Sequence, residues 1–280
     1  MSPGVVATMS EAAAEAAVSG CCRELRLPTI RTEAASLADA AAREGLTHRA
    51  FLAGVLLAEV DERSERRRQR RLGEARFPRM KRLSDFNCSL SPVPPATVAA
   101  LAAGAFIDAG TPVVLLGDSG TGKSHLLIGL GIAACEVGRR VRYTTAAALV
   151  NELVEAADDR MLSRVIGRYG RLELLCLDEL GYLELDRRGA ELLFQVITER
   201  EERASIAVAS NAPFSEWSRT FTDPRLAAAV VDRLTFKAHI IETGTDSYRL
   251  RASRTRGRPA AKPPDGKPST SPSSSPGKET

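Results

Sequence analysis

The sequence predicts an α/β fold: a parallel sheet flanked by helices, preceded by a small helical N-terminal module. Three observations carry this expectation. From Ala96 to about Arg251, short apolar runs alternate with stretches of helical periodicity, the pattern of a parallel sheet covered on both faces. One of those runs, Val113–Leu116, leads through a glycine-rich turn into a helical segment. Residues 23–76, by contrast, carry helical spacing only.

In chain order, residues 1–22 are rich in alanine and weakly patterned, so a frayed helix or a poorly ordered extension is expected there. Glu33–Glu44 reads as a short helix, with Ala34, Leu37, Ala38 and Ala41 on one face and Gly45 as its stop. Thr47 caps a second helix whose apolar stripe is Phe51, Leu52, Val55, Leu56 and Val60. After Asp61 arginine replaces the stripe. This helix is therefore expected to pack through its N-terminal half and project charge from the other. Residues 77–95 form a connector ending at Pro92, Pro94 and Pro95, which cannot continue a helix. The core, 96–252, is expected to run helix Thr97–Ala109, strand Val113–Leu116, helix Lys123–Cys135, strand Val141–Thr144 and helix Ala146–Ala157. Strand Leu174–Leu177, helix Ala190–Arg203, strand Ile206–Ser210, helix Leu226–Leu234 and strand His239–Glu242 complete it. Residues 253–280 are rich in Pro, Ser, Gly and Lys, and a disordered basic tail is expected.

A chain of 280 residues with 44% hydrophobic and 26% charged content suits one main domain plus a smaller one. It excludes a wholly disordered chain. No run approaches the roughly 18 apolar residues of a membrane span, and no basic segment precedes an apolar run as in a secretory signal. The five cysteines (Cys21, Cys22, Cys88, Cys135, Cys176) show no CxxC spacing, so neither a disulfide framework nor a zinc site is indicated. A reducing, cytoplasmic setting is expected.

The net charge of +4 is unevenly placed. Arg63–Arg82 holds ten basic and two acidic residues, and Ser253–Thr280 holds six and two, leaving a body of −8. Such segregation favours a polyanion, nucleic acid first, with a solvated helix face as the alternative. Arg63, Arg66, Arg67, Arg68, Arg70 and Arg71 are the candidate contacts. Five of them fall within six residues and repel one another unless neutralised. No aromatic is interleaved among them, which points to duplex phosphates more than to stacked single-strand bases.

Gly117-Asp118-Ser119-Gly120-Thr121-Gly122-Lys123-Ser124 fits G-x-x-x-x-G-K-[ST] at every position, followed by His125. It lies between an apolar strand and a helix, where backbone N–H groups and a helix N-terminus converge on an anion. Lys123 is placed to reach β- and γ-phosphates, and Ser124 to put its hydroxyl on Mg²⁺.

Leu174–Leu177 is an apolar strand ending in Asp178-Glu179, about fifty residues beyond the loop. Strand C-termini share one edge of a parallel sheet, so Asp178 is expected near the phosphates as a metal-holding carboxylate. Glu179 is then free to orient and deprotonate water. Asn211 follows the next strand and is placed to donate to the γ-phosphate or the water. A turn role before Pro213 is its alternative.

Assembled, these residues resemble the AAA+ P-loop ATPases, and more closely the IstB-like ATP-binding helper proteins of insertion-sequence transposition, relatives of the helicase loader DnaC. The resemblance covers roughly residues 23–251. It rests on Leu25-Arg26-Leu27-Pro28, Phe77-Pro78, Asp85-Phe86, the Gly117–Ser124 loop and Asp178-Glu179-Leu180-Gly181-Tyr182. Ser210-Asn211-Ala212-Pro213-Phe214-Ser215-Glu216-Trp217, Asp232-Arg233-Leu234 and Ser247-Tyr248-Arg249-Leu250 complete it. The resemblance implies ATP and Mg²⁺ as cofactors, Lys123 and Ser124 as the Walker A pair, and Asp178 and Glu179 as the Walker B pair. It further implies Asn211 as sensor 1, Arg233 as an arginine finger for a neighbour's site, and Arg249 as a sensor-2 arginine. The chain departs from the family at Thr235-Phe236-Lys237, where histidines are frequent, and at Glu201, where a tyrosine is usual.

The implied function is an ATPase that assembles on duplex DNA as an oligomer and recruits or activates a transposase. Three rivals remain open at this point: a loader for a replicative helicase, a nucleotide-switched scaffold that does not hydrolyse ATP, and a small-molecule kinase.

Overall fold

A computed structural model describes residues 9–182, 184–245 and 247. Arg249 and the tail expected at 253–280 lie outside the described residues. Three helices come first: α1 (Glu11–Glu24), α2 (Pro28–Glu44) and α3 (His48–Ala75). Helix α1 falls largely in the segment expected to be a frayed helix or a poorly ordered extension. Its cap is Ser10, whose hydroxyl accepts from the Ala13 N–H at 3.3 Å. Helix α2 starts earlier than expected because Pro28 occupies its first turn, where the missing N–H costs nothing. Gly45 ends it in the left-handed region at φ 64°. The Thr47 hydroxyl caps α3 by accepting from Ala50 N–H at 3.2 Å.

These helices share a small core of Cys22, Ile30 and Val55, with Leu27, Leu37 and Phe51 against it. Only part of the expected α3 stripe enters it: Leu52, Leu56 and Val60 remain exposed, because α1 and α2 cover one side of α3. Glu59, 3% exposed, replaces them as the organiser of the junction. It accepts from the backbone N–H groups of Thr29 and Ile30 at 2.9 and 3.1 Å, capping α2 from another helix. Burial pushes its pKa up, but hydrogen bonds from Arg63 and from Ile30 and Thr29 outweigh burial and hold it below the usual value.

After two 3₁₀ turns, Leu83–Asp85 and Cys88–Leu90, come α4 (Pro95–Ala102) and α5 (Ala105–Asp108). Gly104 at φ 79° splits what was expected as one helix. Then follow β1 (Val113–Leu116), α6 (Lys123–Glu136), β2 (Val141–Thr145), α7 (Ala146–Asp158), α8 (Leu162–Gly170) and β3 (Leu174–Leu180). The chain continues through α9 (Arg187–Arg200), β4 (Ser205–Ser210), α10 (Trp217–Phe221), α11 (Pro224–Thr235) and β5 (His239–Glu242). Helices α8 and α10 were not expected; both are short, and α8 contains two glycines.

All strand pairs are parallel, in the order β2-β3-β4-β1-β5. Side chains alternate between two cores. Val114, Leu175, Leu177 and Val208 face helices α7 to α11, and Val113, Leu115, Cys176 and Ala207 face α4 to α6.

The second core also takes in Leu72 and Ala75 of α3, with Phe77, Leu83 and Phe86 of the connector. The C-terminal half of α3, expected to project charge, therefore also packs through Leu72 and Ala75, while Arg63, Arg66, Arg67 and Arg70 remain exposed. A Cβ on Gly131 of α6 would stand 2.7 Å from the Phe77 ring, so glycine there is what admits the connector.

Arg200, at the end of α9, is 1% exposed and donates to the carbonyls of Tyr169, Leu172 and Ser205. Burial lowers its pKa to about 10, so it stays charged at neutral pH. Arg200→Met leaves those carbonyls without their donor. We expect a loss of about 3 kcal/mol, read as a lower urea midpoint with an unchanged slope.

Candidate functional site

The register of the sheet assembles the site. Leu116 of β1 stands beside Ser210 of β4 and Glu242 of β5, so the segments beginning at Gly117, Asn211 and Thr243 emerge together at the carboxyl edge. On β3, Leu177 pairs with Val208 and Leu180 with Ser210. Two residues, Asp178 and Glu179, thus oppose one. This bulge turns Glu179 outward in the left-handed region at φ 60°, while Asp178 stays 4% exposed. A non-glycine residue at positive φ needs local support. Here the Asp178 carboxylate supplies it, accepting from the Glu179 N–H at 2.9 Å.

The loop is held from three sides. Gly117 has φ 147°, and a Cβ there would stand 2.4 Å from the Thr243 hydroxyl. Gly122 has φ 104°, and a Cβ there would stand 2.8 Å from the Phe86 ring. Thr121 donates to Asp118 O at 2.8 Å and meets the Thr243 hydroxyl at 2.6 Å, while Asp118 N–H donates to Gly244 O at 3.0 Å. Helix α6 opens at Gly122 with no side-chain cap, leaving its first N–H groups toward the loop. Lys123 is 8% exposed and donates to Gly117 O and Asp118 O at 2.6 and 2.7 Å, placing its ammonium inside the loop. Ser119 and Gly120 form the tip of the turn.

Beside the loop lies a cavity of about 270 Å³, lined by Gly120–His125 and by Lys81, Asp85, Phe86 and Asn87. The connector is thus the second wall of the site, which its sequence did not announce. His125 Nε2 stands 2.8 Å from Arg82 O, and its ring meets Phe86 edge-on at 5.5 Å.

A second group that the sequence pattern does not single out is Tyr143 on β2. Its hydroxyl donates to Asp178 Oδ2 at 2.7 Å. Burial, then that hydrogen bond, pushes the phenol pKa well above its usual value, so it remains a donor. Thr145, two residues beyond Tyr143, stands opposite Asp178 in the β2–β3 register, which brings the two side chains together. Asn211 is exposed, with Oδ1 3.5 Å from the position of a Cβ on Gly181, two residues past Glu179. Buried Trp217 fixes that turn by donating to Ser210 Oγ and Ala212 O at 3.2 and 3.1 Å.

Arg233 is elsewhere. It lies at the end of α11, which leads into β5, and His239 of β5 pairs with Val113, the first residue of β1. Its cavity is lined by Gly110, Thr111 and Ala204, which precede β1 and β4. Arg233 is therefore at the amino edge of the sheet. The loop lies at the other edge, beyond a strand of about 13 Å.

The arginines of α3 are mostly paired. Arg63 meets Glu59 at 2.8 Å, Arg66 Glu62 at 3.0 Å, Arg68 Glu65 at 2.7 Å, Arg71 Glu74 at 2.9 Å and Arg70 Glu74 at 3.8 Å. Four carboxylates one turn away on the same helix thus offset part of the charge of the six candidate arginines, with Arg70 and Arg71 sharing Glu74. Arg67 is exposed and has no ion pair among the described residues. A further basic row lies at α8. Arg160, Arg164, Arg168 and Arg171 are exposed, and of these only Arg168 is ion-paired among the described residues, with Glu152. No helix among the described residues is long and apolar enough to cross a membrane.

The loop glycines, the uncapped helix start and the buried lysine fit a nucleotide triphosphate, and the Ser124 hydroxyl and Asp178 carboxylate are oxygen donors of the kind a hard cation takes. Known proteins agree with the triphosphate. The IstB-like ATP binding protein family matches residues 21–256. An insertion sequence ATP-binding protein of Sinorhizobium fredii is 41% identical over 244 residues, 85% of this chain and 82% of that one. The ATP-binding protein of insertion sequence IS21 from Pseudomonas aeruginosa is 35% identical over 234 residues, 83% and 88% of the two chains. Among solved structures, AMPPCP-bound DnaA from Aquifex aeolicus superposes with a TM-score of 0.50 at 22% identity, covering 64% of this chain and 55% of that one. That likeness is one of fold, the AAA+ sheet with its flanking helices. With a match this long and relatives this similar, the chain belongs to the family of IstB-like ATP-binding proteins.

Proposed function

We propose that this protein is a Mg²⁺-dependent ATPase that assembles on duplex DNA and recruits or activates a transposase. The observation that carries the reading is the joint arrangement at the carboxyl edge. A phosphate loop follows β1, a recessed carboxylate and an outward carboxylate end β3, and β4 lies between those two strands, while Arg233 stands at the opposite edge. Bound ATP with Mg²⁺ supplies the phosphoryl group and neutralises its charge. Lys123 leaves the loop carbonyls for phosphate oxygens, and the N–H groups at the start of α6 hold the others. Ser124 and Asp178 would hold the cation, and Tyr143 keeps one Asp178 oxygen occupied and the carboxylate oriented. Glu179, turned out by the bulge, takes a proton from water, and Asn211 orients that water. Arg233 cannot reach its own loop, so it serves a neighbour. This makes the assembly head-to-tail, a ring or a helical filament.

For DNA, the exposed arginines of α3 exchange their carboxylates for phosphates, and Arg67 contributes without that exchange. The row at α8 is a second positive surface available to the same duplex. The transposase as partner is supported by the relatives, whose names place them in insertion sequences. The test is ATP turnover and DNA affinity, with and without duplex DNA, across a salt series. We expect DNA-stimulated turnover and an affinity that falls about 10²-fold or more between about 50 and about 200 mM salt. Turnover indifferent to DNA together with a flat salt response overturns the DNA reading and leaves the ATPase reading standing.

A further inference from the structure

Within its own subunit Arg233 is held, but loosely. Its guanidinium carbon stands 4.5 Å from the centroid of the Phe194 ring on α9, inside the range of cation–π attraction. Its Nε stands 2.9 Å from Glu201 Oε2, at the C-cap of the same helix. That Nε is buried, and its N–H is not aimed along the ion-pair line, so it makes no hydrogen bond. The one hydrogen bond of the guanidinium among the described residues is a long one, Nη1 to Ala229 O at 3.4 Å. An arginine fork offers five donors, so most of this one's capacity is unused.

Arg200, one residue before Glu201, shows the opposite arrangement. It is fully buried and shared among three carbonyls. Arg200 is built into the fold; Arg233 is parked against it. Glu201 and Arg233 keep 35% and 25% of their side-chain surface exposed, so water reaches the pair and the hold is releasable.

We propose that Glu201, with the Phe194 ring, is a positioning residue for Arg233: it retains the guanidinium on its own subunit until a neighbour's nucleotide phosphate competes for it. This rests on the reading of Arg233 as a residue that acts in a neighbouring site. The consequence is a threshold. Each subunit divides between a retained and a projecting state, and only the projecting state completes an adjacent site. Removing the carboxylate shifts that division without touching the phosphate loop or the water-activating carboxylate.

The experiment measures ATP turnover per subunit against protein concentration for wild type, Glu201→Gln, Glu201→Asp, Phe194→Leu, Arg233→Ala and Glu201→Gln/Arg233→Ala. Thermal midpoints accompany each. For Glu201→Gln we expect half-maximal turnover at a concentration about threefold lower, with the plateau and thermal midpoint unchanged. Glu201→Asp, which keeps the charge, stays close to wild type. Phe194→Leu shifts in the same direction as Glu201→Gln by a separate route, and decides the matter if Glu201→Gln is poorly folded. In the Arg233→Ala background the Glu201 substitution has no effect. A wild-type concentration profile for both Glu201→Gln and Phe194→Leu overturns the proposal, as does an equal Glu201→Gln shift without Arg233. Full turnover by Arg233→Ala alone overturns instead the reading beneath it, so the two failures are distinguishable.

Discussion

Glu179→Gln is expected to retain nucleotide binding and lose about 10²- to 10⁴-fold in turnover. The substitution keeps the size of the side chain and the bulge that turns it outward. Asp178 still accepts from the residue-179 N–H, as it does at 2.9 Å in the native chain. What disappears is the capacity to accept a proton, because a carboxamide is not basic at neutral pH. The loop, Lys123 and the cation ligands are on other residues and are unaffected. The variant should therefore accumulate in its ATP-bound form. If ATP binding drives assembly on DNA, it should trap a large complex there. Nucleotide affinity by fluorescence titration, turnover by phosphate release and complex size on duplex DNA check the three parts. Near-wild-type turnover would remove Glu179 from the chemistry.

Arg233→Ala is expected to lose about 10³-fold in turnover or more while each subunit still binds ATP. Its position at the amino edge of the sheet, in a cavity with Gly110 and Ala204, separates it from its own loop. The decisive measurement mixes two inactive variants. An Arg233→Ala subunit has a complete loop and acid pair but no finger. A Glu179→Gln subunit has a finger but no base. In a head-to-tail assembly some sites in the mixture combine the intact halves, and turnover should return to a fraction of the wild-type level. If Arg233 acted within its own subunit, the mixture would stay as inactive as its components.

Some features are legible in the amino-acid sequence because they depend on residues close together in the chain. The Gly117–Ser124 loop must sit between a strand and a helix for its N–H groups to converge, and both flanks are visible in the letters. Asp178 and Glu179 end an apolar run, and in a parallel sheet such an end has one destination. Helices α2 and α3 announce themselves through Gly45 and Thr47, each acting on backbone within a few residues.

Other features come from residues far apart in the chain, or from pairings that a count of charges does not show. The α3 arginines read as unneutralised because the basic segment itself contains only Glu65 and Glu74, while Glu59 and Glu62 sit one turn before the run. Phe77 packs on the sheet domain because α6 carries Gly131 where its ring arrives, a match between positions about fifty residues apart. Tyr143 meets Asp178 only through the β2–β3 register. Arg233 and Glu201 meet because α9 and α11 both end at the same edge of the sheet. Sequence by itself determined the phosphate loop, since the backbone of a single turn builds it. Only the tertiary structure decided which partners Arg233 and Asp178 meet, since contacts between elements depend on which side chains come to share a surface.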